Sequence, residues 1–144
     1  MTRINLIDPC ELTDQHLLAE YRELPRAFPL AVAALRRHRG NPARVPSPAR
    51  YTMGTGHVAF FYARTDYLSA RQFAIIAELR RRGYDPTHTK APSPVEGYSL
   101  SGWRPDTADI EISRARLRER LRNPPRPHFY TYESRTVAAD FYGA

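Results

Sequence analysis

The sequence predicts an all-α fold: a single compact domain of about three main helices, with long irregular loops and an aromatic C-terminal tail. Two observations predict it. Three stretches carry apolar residues at helical spacing, and two proline-rich stretches, too long for tight turns, separate them. At 144 residues the chain is long enough to bury a real core and short enough to be one domain, residues 1–144.

The first helix is expected from about Thr13 into the late thirties. Leu17, Tyr21, Leu24 and Phe28 recur at i, i+4, i+7 and i+11 and make one apolar stripe. Pro25 lies inside that pattern, where it bends the helix or removes a hydrogen bond. Gly40, followed by Asn41-Pro42, ends it. The second helix is expected from Thr65-Asp66 to Arg82, with Leu68, Gln72, Ile75, Ile76 and Leu79 facing inward. Gly83 suits the position after its end, and Arg80, Arg81 and Arg82 stand where the helix dipole favours cations. The third is expected from Thr107 to about Arg122. It turns Ile110, Leu117 and Leu121 inward and carries Arg114, Arg118 and Arg122 as a ladder on its outside.

The connections run from Gly40 to Gly56 and from Gly83 to Pro105, lengths that in a compact domain often carry function. "HVAFFY", His57 to Tyr62, fits a buried strand or an apolar extended segment equally well. Pro124 stops the third helix, and the tail beyond it offers Phe129, Tyr130 and Tyr132.

Charge points to a polyanionic partner. The net formal charge is +7, and of the 22 basic residues all but Lys90 are Arg. GC-rich coding accounts for Arg replacing Lys but not for the excess of positive charge. Arg pairs bidentately with phosphate, so nucleic acid stands ahead of a membrane surface. The one cysteine, Cys10, excludes an internal disulfide and a Cys-based zinc site. With no apolar leader at its start and no run near the ~20 apolar residues that span a bilayer, the chain reads as soluble, cytoplasmic and without membrane contact. No sign of an oligomer is present, and a monomer is expected.

Absences narrow the chemistry. There is no P-loop, no dinucleotide glycine pattern and no nucleophile elbow. The five His (His16, His38, His57, His88 and His128) have no metal-like spacing, so neither a metal nor any other cofactor is expected. His16 and Glu20 read as a surface i, i+4 pair. The outer face of the first helix carries Glu20, Arg22, Glu23 and Arg26. That pattern fits a solvated face, or a carboxylate held among arginines where an anionic substrate docks, and composition alone favours the first. Amines are scarce. Thr2 is small enough for removal of Met1 during synthesis, which leaves the Thr2 α-amine and Lys90 as the two candidates for amine chemistry.

"TRINL" followed by "ELTDQHLLAEYRELPRAF" resembles the amino-terminal signature of the phage-type pyrimidine-dimer DNA glycosylases. The likeness continues in "GTGHVAFFY", "RQFAIIAELRRRGY" and "ISRARLRERL", and thins out in both proline-rich loops. It implies base-excision repair of ultraviolet-damaged duplex DNA. The α-amine of Thr2 would displace the 5′ base of a cyclobutane dimer and form an imine with its sugar, and β-elimination would then nick the strand. Glu23 matches the family's catalytic carboxylate. Arg3, His16, Arg22, Arg26 and Arg116 match DNA-binding positions, and Arg120 falls where Lys is commoner. Phe129 and Tyr130 match the aromatic tail, which here is longer and less basic. They serve equally well to pack that tail on the core.

An α-amine suits this role physically. Its reference pKa is roughly 7.7–8.0 against about 10.4 for Lys, and neighbouring arginines lower it further. Five phosphate contacts imply a salt slope of roughly −0.9 per contact. The expected partners are therefore duplex DNA carrying pyrimidine dimers or abasic sites. Divergence in the loops and tail keeps open a lyase acting on abasic sites or other damaged pyrimidines. A blocked α-amine would leave a non-catalytic DNA-binding module.

Overall fold

The computed structural model describes residues 3–143, and they are mainly helical. The helices are α1 (Asp14–Glu23), α2 (Ala27–Arg37), α3 (Thr65–Arg81) and α4 (Thr107–Arg122). A two-residue hairpin closes the chain, β1 (Thr131–Tyr132) against β2 (Arg135–Thr136). Thr131 pairs with Thr136 and Tyr132 with Arg135, antiparallel.

Helices α1 and α2 are the two halves of the expected first helix. Thr13 caps α1 by accepting the His16 N–H, which satisfies one of the free donors of the first turn. Pro25 lacks an N–H, and around it the chain tightens to a 3₁₀ turn, Leu24–Arg26, before α2 resumes. The bend at Pro25 is thus accommodated without ending the apolar stripe: Leu17, Leu24 and Phe28 are all buried.

Helix α3 stops where Gly83 adopts φ +92°, a left-handed conformation that costs glycine little. The Gly83 and Tyr84 N–H groups then close back on the carbonyls of Arg80 and Leu79. Helix α4 starts on a reciprocal capping box: Asp106 accepts from the Asp109 N–H, and Asp109 from the Asp106 N–H. The segment left open between strand and extended chain is neither. Ala59–Phe61 form one 3₁₀ turn that packs Phe60 and Phe61 edge to face, centroids 5.1 Å apart, beside Tyr51, Tyr67 and Trp103.

One continuous cluster forms the core. It joins the N-terminal residues Ile4, Leu6 and Ile7 to Leu17 and Leu24, Phe60 and Phe61, Leu68, Ile75 and Leu79, Leu117 and Leu121, and Tyr130 and Tyr142. The tail is therefore part of the core. Among the described residues, no helix is long and apolar enough to cross a membrane.

Four side chains lie elsewhere than the sequence suggested. Arg82 is no exposed cation at a helix end: its side chain is 0% exposed. It pairs with Asp14 at 3.0 Å and Glu78 at 2.8 Å, donates to the Leu12 carbonyl at 2.7 Å, and stacks on Tyr132. Glu20 is buried, not on a solvated face. Arg114 and Arg118 are only partly exposed and pair with Glu11 and Glu111, so the outer ladder on α4 is anchored to neighbouring acids.

Candidate active site

Residues Arg3 to Leu6 lie outside regular secondary structure, yet Ile4, Asn5 and Leu6 are buried. Buried N–H groups require partners, and here side chains supply them. Arg3 donates its backbone N–H to Glu23 Oε2 at 3.2 Å, Ile4 to His57 Nε2 at 2.9 Å, Asn5 to Glu20 Oε1 at 3.3 Å, and Leu6 to Ser113 Oγ at 2.9 Å. The Tyr51 hydroxyl donates to the Ile4 carbonyl at 2.9 Å, and Arg71 to that of Ile7 at 2.8 Å. Helices α1, α3 and α4 and the loop before α3 thus converge on residues 3–7.

Two groups beneath this segment are set by burial. His57 donates from Nδ1 to the Thr52 carbonyl at 2.8 Å, which leaves Nε2 as the acceptor that Ile4 needs. Burial chiefly, with Arg3 nearby, lowers its pKa to about 4 and keeps the ring neutral for that task. Glu20 and Arg71 form an ion pair with side chains 1% and 5% exposed. Burial opposes the charge of Arg71, but the Glu20 carboxylate outweighs it and raises the guanidinium pKa above its ordinary value. Glu20 also accepts from the Asn5 amide nitrogen at 2.8 Å.

Above them opens a cavity of about 300 Å³ lined by Arg3, His16, Glu23, Arg116 and Arg120, and closed by Asn5, Ala19 and Glu20. Residues from the N-terminal segment, α1 and α4 meet there. Burial, with Arg3 and Arg120 alongside, lowers the pKa of Arg116. Burial also lowers that of His16 to about 3, with Arg116 and Arg120 adding to the shift. The imidazole is neutral at any physiological pH. Two buried polar atoms at this cavity, Arg3 Nη1 and His16 Nε2, have no hydrogen-bond partner among the described residues. A larger cavity, about 700 Å³ between Tyr67, Trp103 and Arg104, contains none of the expected site residues. Size does not select the site; chemistry does.

The expected residues are distributed as follows. Arg3, His16, Glu23, Arg116 and Arg120 share the cavity. Arg22 and Arg26 are exposed, on α1 and on the 3₁₀ turn after it, and neither forms an ion pair among the described residues. Tyr130 is buried and stacks on His16, centroids 4.6 Å apart. Phe129 is half-buried against Tyr130, with the Arg126 guanidinium over its ring. Thr2 lies outside the described residues, one peptide bond before the Arg3 nitrogen that Glu23 holds. His16 does not bond to Glu20: its Nδ1 faces Thr13 and Tyr142. Among the described residues no three His, Cys, Asp or Glu side chains converge as a metal site.

Sequence reasoning did not single out Asn5, Tyr51, His57, Arg71, Ser113 or Tyr142. The only available signal was "HVAFFY", where a polar His begins an apolar run. Residues 1–92 of the chain match the family model described as pyrimidine dimer DNA glycosylase. The matched part contains Arg3, His16, Arg22, Glu23 and Arg26, and stops before α4 and the tail.

Proposed function

Since the chain belongs to the pyrimidine dimer DNA glycosylase family, we propose that it is bifunctional, excising the 5′ base of a cis-syn cyclobutane dimer and then nicking the strand. The observation that carries this reading is a pair of buried groups without a partner among the described residues, Arg3 Nη1 and His16 Nε2, sharing one cavity with the Glu23 carboxylate. Buried unpaired donors are costly, and oxygen atoms of a nucleotide would satisfy them.

The nucleophile is the α-amine of Thr2, exposed by loss of Met1. It attacks C1′, the glycosidic bond breaks, and the base departs with the bonding electrons and takes the proton the amine loses. The excised base stays linked to its neighbour through the cyclobutane ring. The C1′–O4′ bond then opens, its electron pair going to O4′, which takes a proton, while the nitrogen lone pair closes the C1′ imine. The imine acidifies C2′. Glu23 removes a C2′ proton, and the 3′ phosphate leaves with the C3′–O pair. Water hydrolyses the imine and frees Thr2.

Several features support these roles. Glu23 is anchored by the Arg3 N–H, so the carboxylate stands beside the start of the chain. There it balances the positive charge that develops on the sugar. Arg116, Arg120 and Arg3 surround the same space and hold flanking phosphates, while Arg22 and Arg26 extend the cationic face along α1 and the following turn. Base displacement inside a duplex requires unstacking, which a dimer has already made easier. The protein acts on DNA as a monomer, all 144 residues serving one domain.

Duplexes carrying one dimer, one abasic site or no lesion test the reading, with protein shown by intact mass to lack Met1. The expected result is nicking at the dimer and at the abasic site, each leaving an unsaturated aldehyde. Nicking of abasic DNA alone would remove the dimer assignment. Binding without any nicking would leave a DNA-binding module.

A further inference from the structure

The catalytic cavity is backed by the C-terminal tail. Tyr142, 2% exposed, places its hydroxyl 2.7 Å from His16 Nδ1 and accepts the Thr13 N–H at 2.8 Å. The Thr13 hydroxyl reaches the same ring nitrogen at 2.9 Å and accepts the His16 N–H at 3.2 Å. Each hydroxyl oxygen therefore already accepts a backbone N–H, and each has its own proton to place. A proton on Nδ1 would face two hydroxyl oxygens that each already accept a backbone N–H. A bare Nδ1 accepts the phenol proton instead.

We propose that Tyr142 is a positioning residue for the excision reaction. Its hydroxyl locks neutral His16 in the tautomer protonated on Nε2, so that Nε2–H donates into the cavity, to an oxygen of the bound nucleotide. This rests on the glycosylase reading of that cavity. Nε2 is buried with no partner among the described residues, and the cavity it lines is shared with Glu23, Arg116 and Arg120. Tyr130, stacked on the imidazole, fixes the ring plane, while Tyr142 fixes the position of its proton. The tail thereby acts on the chemistry from behind, through His16, as well as on the packing of the core. Burial and the adjacent arginines keep the ring neutral, so it serves as a hydrogen-bond donor and not as an imidazolium acid.

The test combines Tyr142→Phe, which deletes one oxygen, with ¹⁵N-resolved spectra of the histidine rings. In the unaltered protein His16 should show a pyridine-like Nδ1 and a pyrrole-like Nε2, and Tyr142→Phe should mix or reverse them. Partners that orient metal-ligating histidines are worth roughly ten- to hundredfold in activity, and a loss on that scale is expected here. The single-turnover rate of borohydride-trappable imine should fall by that factor, and by more than the affinity for lesion duplex falls. Protonated Nδ1 in the unaltered protein overturns the proposal even if Tyr142→Phe fails to fold. An unchanged rate or an unchanged tautomer in a folded Tyr142→Phe overturns it too. If the unaltered protein traps no imine on any DNA, the glycosylase reading fails and Tyr142 positions nothing for excision. The spectra then still report on the tautomer itself.

Discussion

Glu23 is the residue on which the proposed chemistry turns. It is half-buried, it holds the Arg3 N–H, and it lines the cavity beside His16. Glu23→Gln keeps shape and most hydrogen bonding but removes the charge and the base. Turnover should fall by roughly 10²–10⁴-fold, the usual range for a general acid or base, while the dissociation constant for lesion duplex changes little. Parallel measurement of single-turnover nicking and duplex binding checks this, and equal losses in both would make Glu23 a structural residue. The family resemblance, not the composition of "EYRELPR", singled out Glu23, and the structure places it on the cavity wall. Glu20, three positions earlier, was misread as part of the same exposed face. Its partner Arg71 lies 51 positions along the chain, and no local periodicity reports a contact at that separation.

At the scale of elements, α3 and α4 were legible nearly to the residue because each carries its own stop signal, Gly83 after α3 and Pro124 after α4. The N-terminal segment was not, because it has no periodicity and takes its hydrogen bonds from side chains of distant elements. Its seating depends on the buried Glu20–Arg71 pair, which joins α1 to α3 and reaches the carbonyl of Ile7. Removing one partner of such a pair strands the other charge, at a cost of about 3–5 kcal/mol. Arg71→Met should therefore lower unfolding free energy by about that amount in urea titrations. Cutting activity at temperatures where the variant is still folded would show that the pair also seats the catalytic segment. A loss below about 1 kcal/mol would mean the pair behaves as a surface ion pair.

The tail was legible as aromatic, with packing of Phe129 and Tyr130 on the core as one of two readings, but the burial of Tyr142 was not. Tyr142 meets Thr13 across 129 positions, and Asp14 accepts from the Thr131 hydroxyl and from the Glu133 and Ser134 N–H groups. These bonds dock the hairpin on the start of α1, with Arg82 stacked on Tyr132 behind it. Such contacts close the molecule end to end, and only the folded chain displays them.

For the whole molecule, the neutral buried histidines predict how stability follows pH. Unfolded His titrates near 6.5, whereas burial holds His57 at about 4 and His16 at about 3. Across that window the unfolded chain binds protons that the folded chain does not, so stability rises with pH and is lost as pH falls below about 6.5. Urea unfolding at pH 5 should give a clearly lower free energy than at pH 7, and His57→Gln should flatten the difference. Equal stability at both pH values would mean that the two rings are protonated in the fold.

The proposed reaction rests on one intermediate, an imine between the α-amine of Thr2 and the damaged sugar. Borohydride reduction of the protein on ultraviolet-irradiated duplex, followed by mass spectrometry of the cross-linked peptide, tests it most directly. The expected product is a covalent adduct on the peptide that begins at Thr2. An adduct on Lys90, or none at all from protein that has lost Met1, would contradict it.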